Sequence, residues 1–122
     1  MTPTVLANGV HAYNWDMVVP RFRVVHQKTM IALSQFEHEG MTYTFKSPYI
    51  IDAEYSEDGI YEYSNQRLGI YVQGKNYDEL VESFAFSFYY QWKDIAMEDD
   101  KNLTQDAQLL KQILLAMCEV TK

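Results

Sequence analysis

Residues 69–76 read Gly-Ile-Tyr-Val-Gln-Gly-Lys-Asn, two glycines five apart with a lysine after the second. That spacing is most of a phosphate-binding loop, in which backbone amides cradle a nucleotide's phosphates and the lysine reaches them. The remaining positions do not support it. Asn76 stands where a Ser or Thr hydroxyl would ligate magnesium. Ile70-Tyr71-Val72-Gln73, between the glycines, favours an extended strand and would not curl around an anion. Antiparallel hairpin signals precede it, whereas a phosphate loop follows a buried parallel strand. The stretch therefore reads as a junction: Gly69 inside a strand, Gly74 with Lys75 turning the chain, and Asn76 capping a helix.

The other chemistry-bearing residues are as sparse. His11, His26 and His38 are scattered, with no pair at the helical i, i+4 spacing of a zinc site. Glu37-His38-Glu39 falls in an expected turn, where polar residues belong. Glu98-Asp99-Asp100 lacks the longer ligand series of a calcium loop and reads as a solvated linker or an acidic patch for a partner. Cys118, the single cysteine, falls near the end of the last expected helix as a small packing residue. No Gly-x-Ser-x-Gly elbow occurs, and nothing selects a pair of carboxylates for acid–base work. No catalytic, cofactor-binding or metal-binding residue is assigned, and the chain is read as a non-enzyme.

Composition narrows the class further. A chain of 122 residues, 48% apolar, suits one domain with an ordinary core and no need of disulfides. Ten tyrosines favour a pleated sheet. The net charge is −7, with four Lys/Arg against seven Asp/Glu in residues 1–61 and six against ten in residues 62–122. Both halves are acidic, so the basic stripe of a nucleic-acid binder is missing. A lone cysteine fits a reducing compartment. The start, Met-Thr-Pro-Thr-Val-Leu-Ala-Asn-Gly, lacks the layout of a signal peptide, and no apolar run is long enough for a membrane span. The expectation is a cytoplasmic protein without cofactors.

The elements follow from periodicity. The first eighteen residues show no clear period and read as an arm. Arg21–Val25 suggests a short strand, and Met30–Phe36 and Met41–Phe45 flank a hairpin connection at Glu37–Gly40. Pro20 and Pro48 mark breaks. Tyr49, Ile51, Ala53 and Tyr55 alternate with Ile50, Asp52 and Glu54. Glu57-Asp58-Gly59 predicts a type I′ turn, Ile60–Ser64 a return strand, Asn65–Arg67 a second turn, and Leu68–Gln73 a third strand. Asn76 and Glu79 form a capping-box pattern for a helix over 76–97, with Tyr77, Val81, Phe84, Phe88, Trp92 and Ile95 as its stripe. Phe86, Tyr89 and Tyr90 widen that surface, so cover on more than one side is expected. Thr104 caps a second helix over 104–120 with Leu103, Ala107, Leu110, Leu114 and Met117 inward. The fold class is α+β: an antiparallel meander, with added N-terminal strands over 21–73, packed on a C-terminal pair of helices.

This alternation places Tyr61, Tyr63 and Tyr71 opposite the aliphatic face of Ile60, Leu68, Ile70 and Val72. Tyrosine is enriched at interface centres, so these three, with Glu98, Asp99 and Asp100, are the candidate partner-binding residues. A homodimer through the sheet edge or the aromatic helix is also compatible with the pattern.

Residues 49–110 resemble the HicB-like, antitoxin-type small domains. The resemblance rests on the hairpin at Glu57-Asp58-Gly59 and on Leu68-Gly-Ile-Tyr-Val-Gln-Gly74 leading into Tyr77-Asp78-Glu79-Leu80. It continues through Glu98-Asp99-Asp100, Asn102-Leu103-Thr104 and Asp106-Ala107. It implies a protein that neutralises a toxin or nuclease by covering its active surface, without catalysis. Acidity suits a basic partner of that kind. No basic DNA-binding module accompanies the core. A second reading is an acidic inhibitor from a phage or mobile element that mimics nucleic acid. A third is an orphan enzyme.

Overall fold

Alternating apolar residues between turns, followed by two stretches of helical period, give a sheet with helices on one face. The structure, a computed structural model, describes Thr4–Leu6, Val10–Asn14 and residues 27–122, with side chains from Met30 onward. The strands are β1 (Thr4–Leu6), β2 (Val10–Asn14), β3 (Gln27–His38), β4 (Met41–Tyr55), β5 (Tyr61–Asn65) and β6 (Ile70–Gly74). They lie side by side in sequence order, each antiparallel to the next. Then come α1 (Tyr77–Gln91), a π-helical turn over Trp92–Ala96, a short 3₁₀ turn, α2 (Gln105–Met117) and a last strand, β7 (Cys118–Thr121). The α+β class and the meander stand as the sequence led one to expect.

Several details differ. The stretch read as an arm supplies β1 and β2, which extend the sheet beyond β3. The strand expected at Arg21–Val25 and the break at Pro20 lie outside the described residues. The β3–β4 connection is two residues long, not four: Glu39 and Gly40 both have positive φ, 50° and 77°, as a type I′ turn requires. At the next hairpin only Gly59 has positive φ, so Asp58-Gly59 is no type I′ pair. There the Gly59 N–H donates to the Ser56 carbonyl at 3.1 Å.

Pro48 does not break a strand; it lies within β4, at an irregularity. Leu33 pairs Tyr49, but Gln35 pairs Thr44, so residues 45–48 stand opposite Ser34 alone. A residue with no N–H to give fits where the ladder is interrupted. The bulge also shifts the phase of β3, whose buried residues are Ile31 and Leu33 before it and Phe36 after it. The other edge of β4, which β5 pairs only at Glu54 and Tyr55, takes up β7, Thr42–Phe45 pairing with Thr121–Cys118. The second helix therefore stops at Met117 rather than near residue 120, and the chain returns to the sheet.

The core lies between one sheet face and the helices. Ile31, Leu33, Phe45, Ile51 and Val72 pack against Leu80, Phe84 and Phe88 of α1 and Leu114 of α2. Phe84 and Phe88 of the expected stripe are fully buried, and Leu80 and Ala96 join them. Both caps form as the sequence suggests. The Glu79 amide donates to Asn76 Oδ1 at 2.9 Å, and the Ala107 amide to Thr104 Oγ1 at 3.2 Å. Gly74 ends β6 without a positive φ; its hydrogen side chain is needed because the backbone of Leu80 lies against it. Gly69 sits in the turn before β6, at φ 68°, not inside the strand.

Candidate functional site

Cross-strand partners in an antiparallel pair project to the same face of the sheet. Tyr63 stands opposite Val72 and Ser64 opposite Tyr71. Tyr63 therefore joins Val72 on the helix-covered face, while Tyr71 looks the other way. The expectation of a shared tyrosine face is corrected on this point. It arose from aligning Ile60 with the aliphatic residues of β6, whereas Ile60 lies in the loop before β5 and the register sets Tyr63 opposite Val72.

Tyr63 is a structural residue. It is 9% exposed, and its hydroxyl lies 2.6 Å from that of Tyr49. Asn65 Nδ2 donates to the Tyr49 hydroxyl at 2.8 Å, while Asn65 Oδ1 accepts from the Leu68 amide at 3.1 Å. This network closes the β5–β6 turn over the core, and burial with the Tyr63 hydrogen bond pushes the Tyr49 phenol well above its ordinary range. Tyr61 packs on the same core, between the rings of Tyr55 and Tyr77 at 4.7 and 4.8 Å. Of the three tyrosines, Tyr71 alone is largely exposed, at 61%.

The acidic trio also has structural employment. The Glu98 carboxylate accepts from the Asp99 amide at 2.9 Å and from Asn102 Nδ2 at 3.0 Å. These bonds hold its pKa below the ordinary carboxylate value. Lys111 of α2 donates to the Glu98 carbonyl and pairs with Asp100 at 3.0 Å. The trio thus fastens the α1–α2 connection. Asp99 and Asp100 remain exposed. The trio follows the helical run that ends at Ala96, and none of it lines the groove that holds Tyr71, so the structure does not bring the two candidate groups together.

What Tyr71 does join is an open groove of about 610 Å³ between β6 and α1, lined by Tyr71, Gln73, Glu79, Glu82, Ser83 and Phe86 among others. Asn76 starts α1 directly after β6, and the helix runs back along the strand until Gln91 Nε2 donates to the Leu68 carbonyl at 2.7 Å. The inward stripe Leu80-Phe84-Phe88 leaves Glu79, Glu82 and Phe86 on the flank nearest the strand edge. Phe86 is 49% exposed and contacts Tyr90, itself 45% exposed, with ring centroids 4.8 Å apart. Of the further cover expected for Phe86 and Tyr90, the described residues supply only the His38 ring, which meets Phe86 edge-on with centroids 5.7 Å apart, and both side chains stay about half exposed. Tyr89 instead turns toward the β3–β4 hairpin, where it donates to Glu39 Oε2 at 3.1 Å and packs on the His38 ring.

The groove combines apolar rings with carboxylates, and none of its described lining residues is Lys or Arg. Gln73 Nε2 donates to Glu62 at 3.1 Å and to the Tyr71 hydroxyl at 2.9 Å, which fixes the Tyr71 ring beside a further carboxylate. Such a surface suits guanidinium or ammonium groups, by ion pairing and by cation–π contact. Sequence reasoning missed Glu79, Glu82 and Phe86 here. The signal was available in Phe86 and Tyr90, an i, i+4 aromatic pair set off from the buried stripe.

No cluster of three or more His, Cys, Asp or Glu able to hold a metal occurs among the described residues. Cys118 is buried, and burial pushes its thiol up to about 12. No helix among the described residues is long and apolar enough to cross a membrane. No protein-family model, curated protein or solved structure matches the chain.

Proposed function

We propose that this chain is a non-enzymatic, cytoplasmic protein-binding module, antitoxin-like, which neutralises or regulates a basic toxin or nuclease. The observation that carries the reading is the β6–α1 groove, where Tyr71 and Phe86 are exposed beside Glu79 and Glu82 with no described cation in the lining. Exposed aromatic rings bury large area at low entropic cost, and neighbouring carboxylates select a cationic surface and speed its approach. The net charge of −7 adds long-range attraction to the same partner. The resemblance of residues 49–110 to HicB-like domains points the same way.

The test is co-expression with the products of the genes flanking its own. A basic flanking product should co-purify in a defined ratio, and its nuclease or growth-arresting activity should fall as this chain is added. If every flanking product is expressed and none binds, the reading fails.

A further inference from the structure

We propose that the groove takes its partner as an extended, basic segment, which adds to the sheet as a further antiparallel or parallel strand on β6. This rests on the protein-binding reading above and specifies the chemistry of the ligand. The strand order ends at β6, whose partner among the described residues is β5 alone. Five residues, Ile70–Gly74, thus present one edge of backbone groups over about 17 Å. Open space lies along that edge. The groove of about 610 Å³ borders Tyr71, Val72 and Gln73 there. A second hollow of about 500 Å³, lined by Ser64–Gln66 and Gly69–Tyr71, lies over the β5–β6 turn instead and is no part of this site.

The charge on either side of this edge fixes the kind of segment. A strand added to β6 projects alternate side chains to the two faces of the sheet. Those on the helix side meet Glu79, Glu82 and Phe86. Those on the other side meet Tyr71 and Gln73, with Glu62 behind them. Long cationic side chains have a carboxylate within reach on either face, whereas acidic ones meet only like charge. Main-chain hydrogen bonds give such a complex its affinity, and the flanking side chains give its specificity.

The experiment titrates the full chain with a blocked peptide of about eight alternating Lys and Val residues, followed by fluorescence anisotropy. Two further peptides carry N-methyl groups on every Lys or on every Val nitrogen. In an added strand one set of amides faces β6 and the other faces away. Methylation of the inward set removes the bonds and should weaken binding about tenfold or more, and methylation of the outward set should not. Glu82→Lys, which leaves the Asn76–Glu79 cap intact, should weaken the parent peptide as well. Equal binding of all three peptides overturns strand addition while leaving a protein-binding module. No binding of any of them overturns it too. In either case a flanking-gene product that still binds keeps the broader reading alive. Failure of the flanking products alone, with the peptide pattern as stated, sinks the broader reading and not this one.

Discussion

Gly74 and Leu80 touch through their backbones: a Cβ built on Gly74 would lie 2.8 Å from the Leu80 Cα and closer still to its nitrogen. The stretch that resembles a phosphate loop is therefore a packing joint, where the last residue of β6 lets the first turn of α1 close down on the strand. That joint sets the width of the groove, because it fixes the start of α1 against the edge of β6.

Gly74→Ala should then be among the most costly small substitutions in the chain. Backbone cannot move aside as a flexible side chain can, so a loss on the order of 3 kcal/mol is expected, read as a lower denaturant midpoint. Gly69→Ala meets only the end of the Gln91 side chain at 3.0 Å and a φ of 68°, and should cost about 1–2 kcal/mol. Equal effects at the two positions would contradict this account of the joint.

The tyrosines separate by role in the same kind of measurement. Tyr63→Ala removes a buried ring and the partner of Tyr49, and should cost about 3–5 kcal/mol. Tyr71→Ala, at an exposed position, should stay within about 0.5 kcal/mol of the parent protein. Its effect should appear in partner affinity instead. Thermal melts and binding curves on the two variants check both statements.

Stability should fall on the alkaline side. Burial raises the Cys118 thiol from 9.0 to about 12 and lifts Tyr49 and Tyr61 above their ordinary range, helped by hydrogen bonds to Tyr63 and Tyr77. The unfolded chain releases these protons first, so from about pH 9 upward the folded state binds more protons and is progressively disfavoured. Below that range these groups add no slope. The denaturant midpoint should be lower at about pH 10.5 than at about pH 7.5, and tyrosinate absorbance should include a fraction that appears only on unfolding. Cys118 should resist thiol reagents in the native protein and react once it unfolds.

Much of this architecture was legible in the sequence, where local chemistry decides it. Asn76 and Thr104 announce their helices because a cap needs only a side-chain oxygen and the amides that follow. Phe84 and Phe88 announce the core because helical spacing fixes their direction. The misreadings occur where phase depends on distant partners. Aligning Ile60 with the aliphatic face of β6 turned Tyr61 and Tyr63 from the core to the surface, since a strand's period of two makes a one-residue error of register a change of face. Cys118–Thr121 looked like the end of a helix because its partner, Thr42–Phe45, lies far back in the chain, on a stretch of β4 that β5 does not reach. The groove was invisible for a related reason: Glu79, Glu82 and Phe86 become neighbours of Tyr71 only once α1 folds back along β6.

The central claim is that the edge of β6 and the flank of α1 form the site for a basic partner. The most direct test is amide mapping of the ¹⁵N-labelled chain by NMR during titration with the Lys–Val peptide. The account predicts shifts concentrated in residues 70–74 and 79–87, saturating together and lost in Glu82→Lys. Shifts centred on Glu98–Asp100, or scattered over exposed carboxylates without a common saturation point, would contradict it.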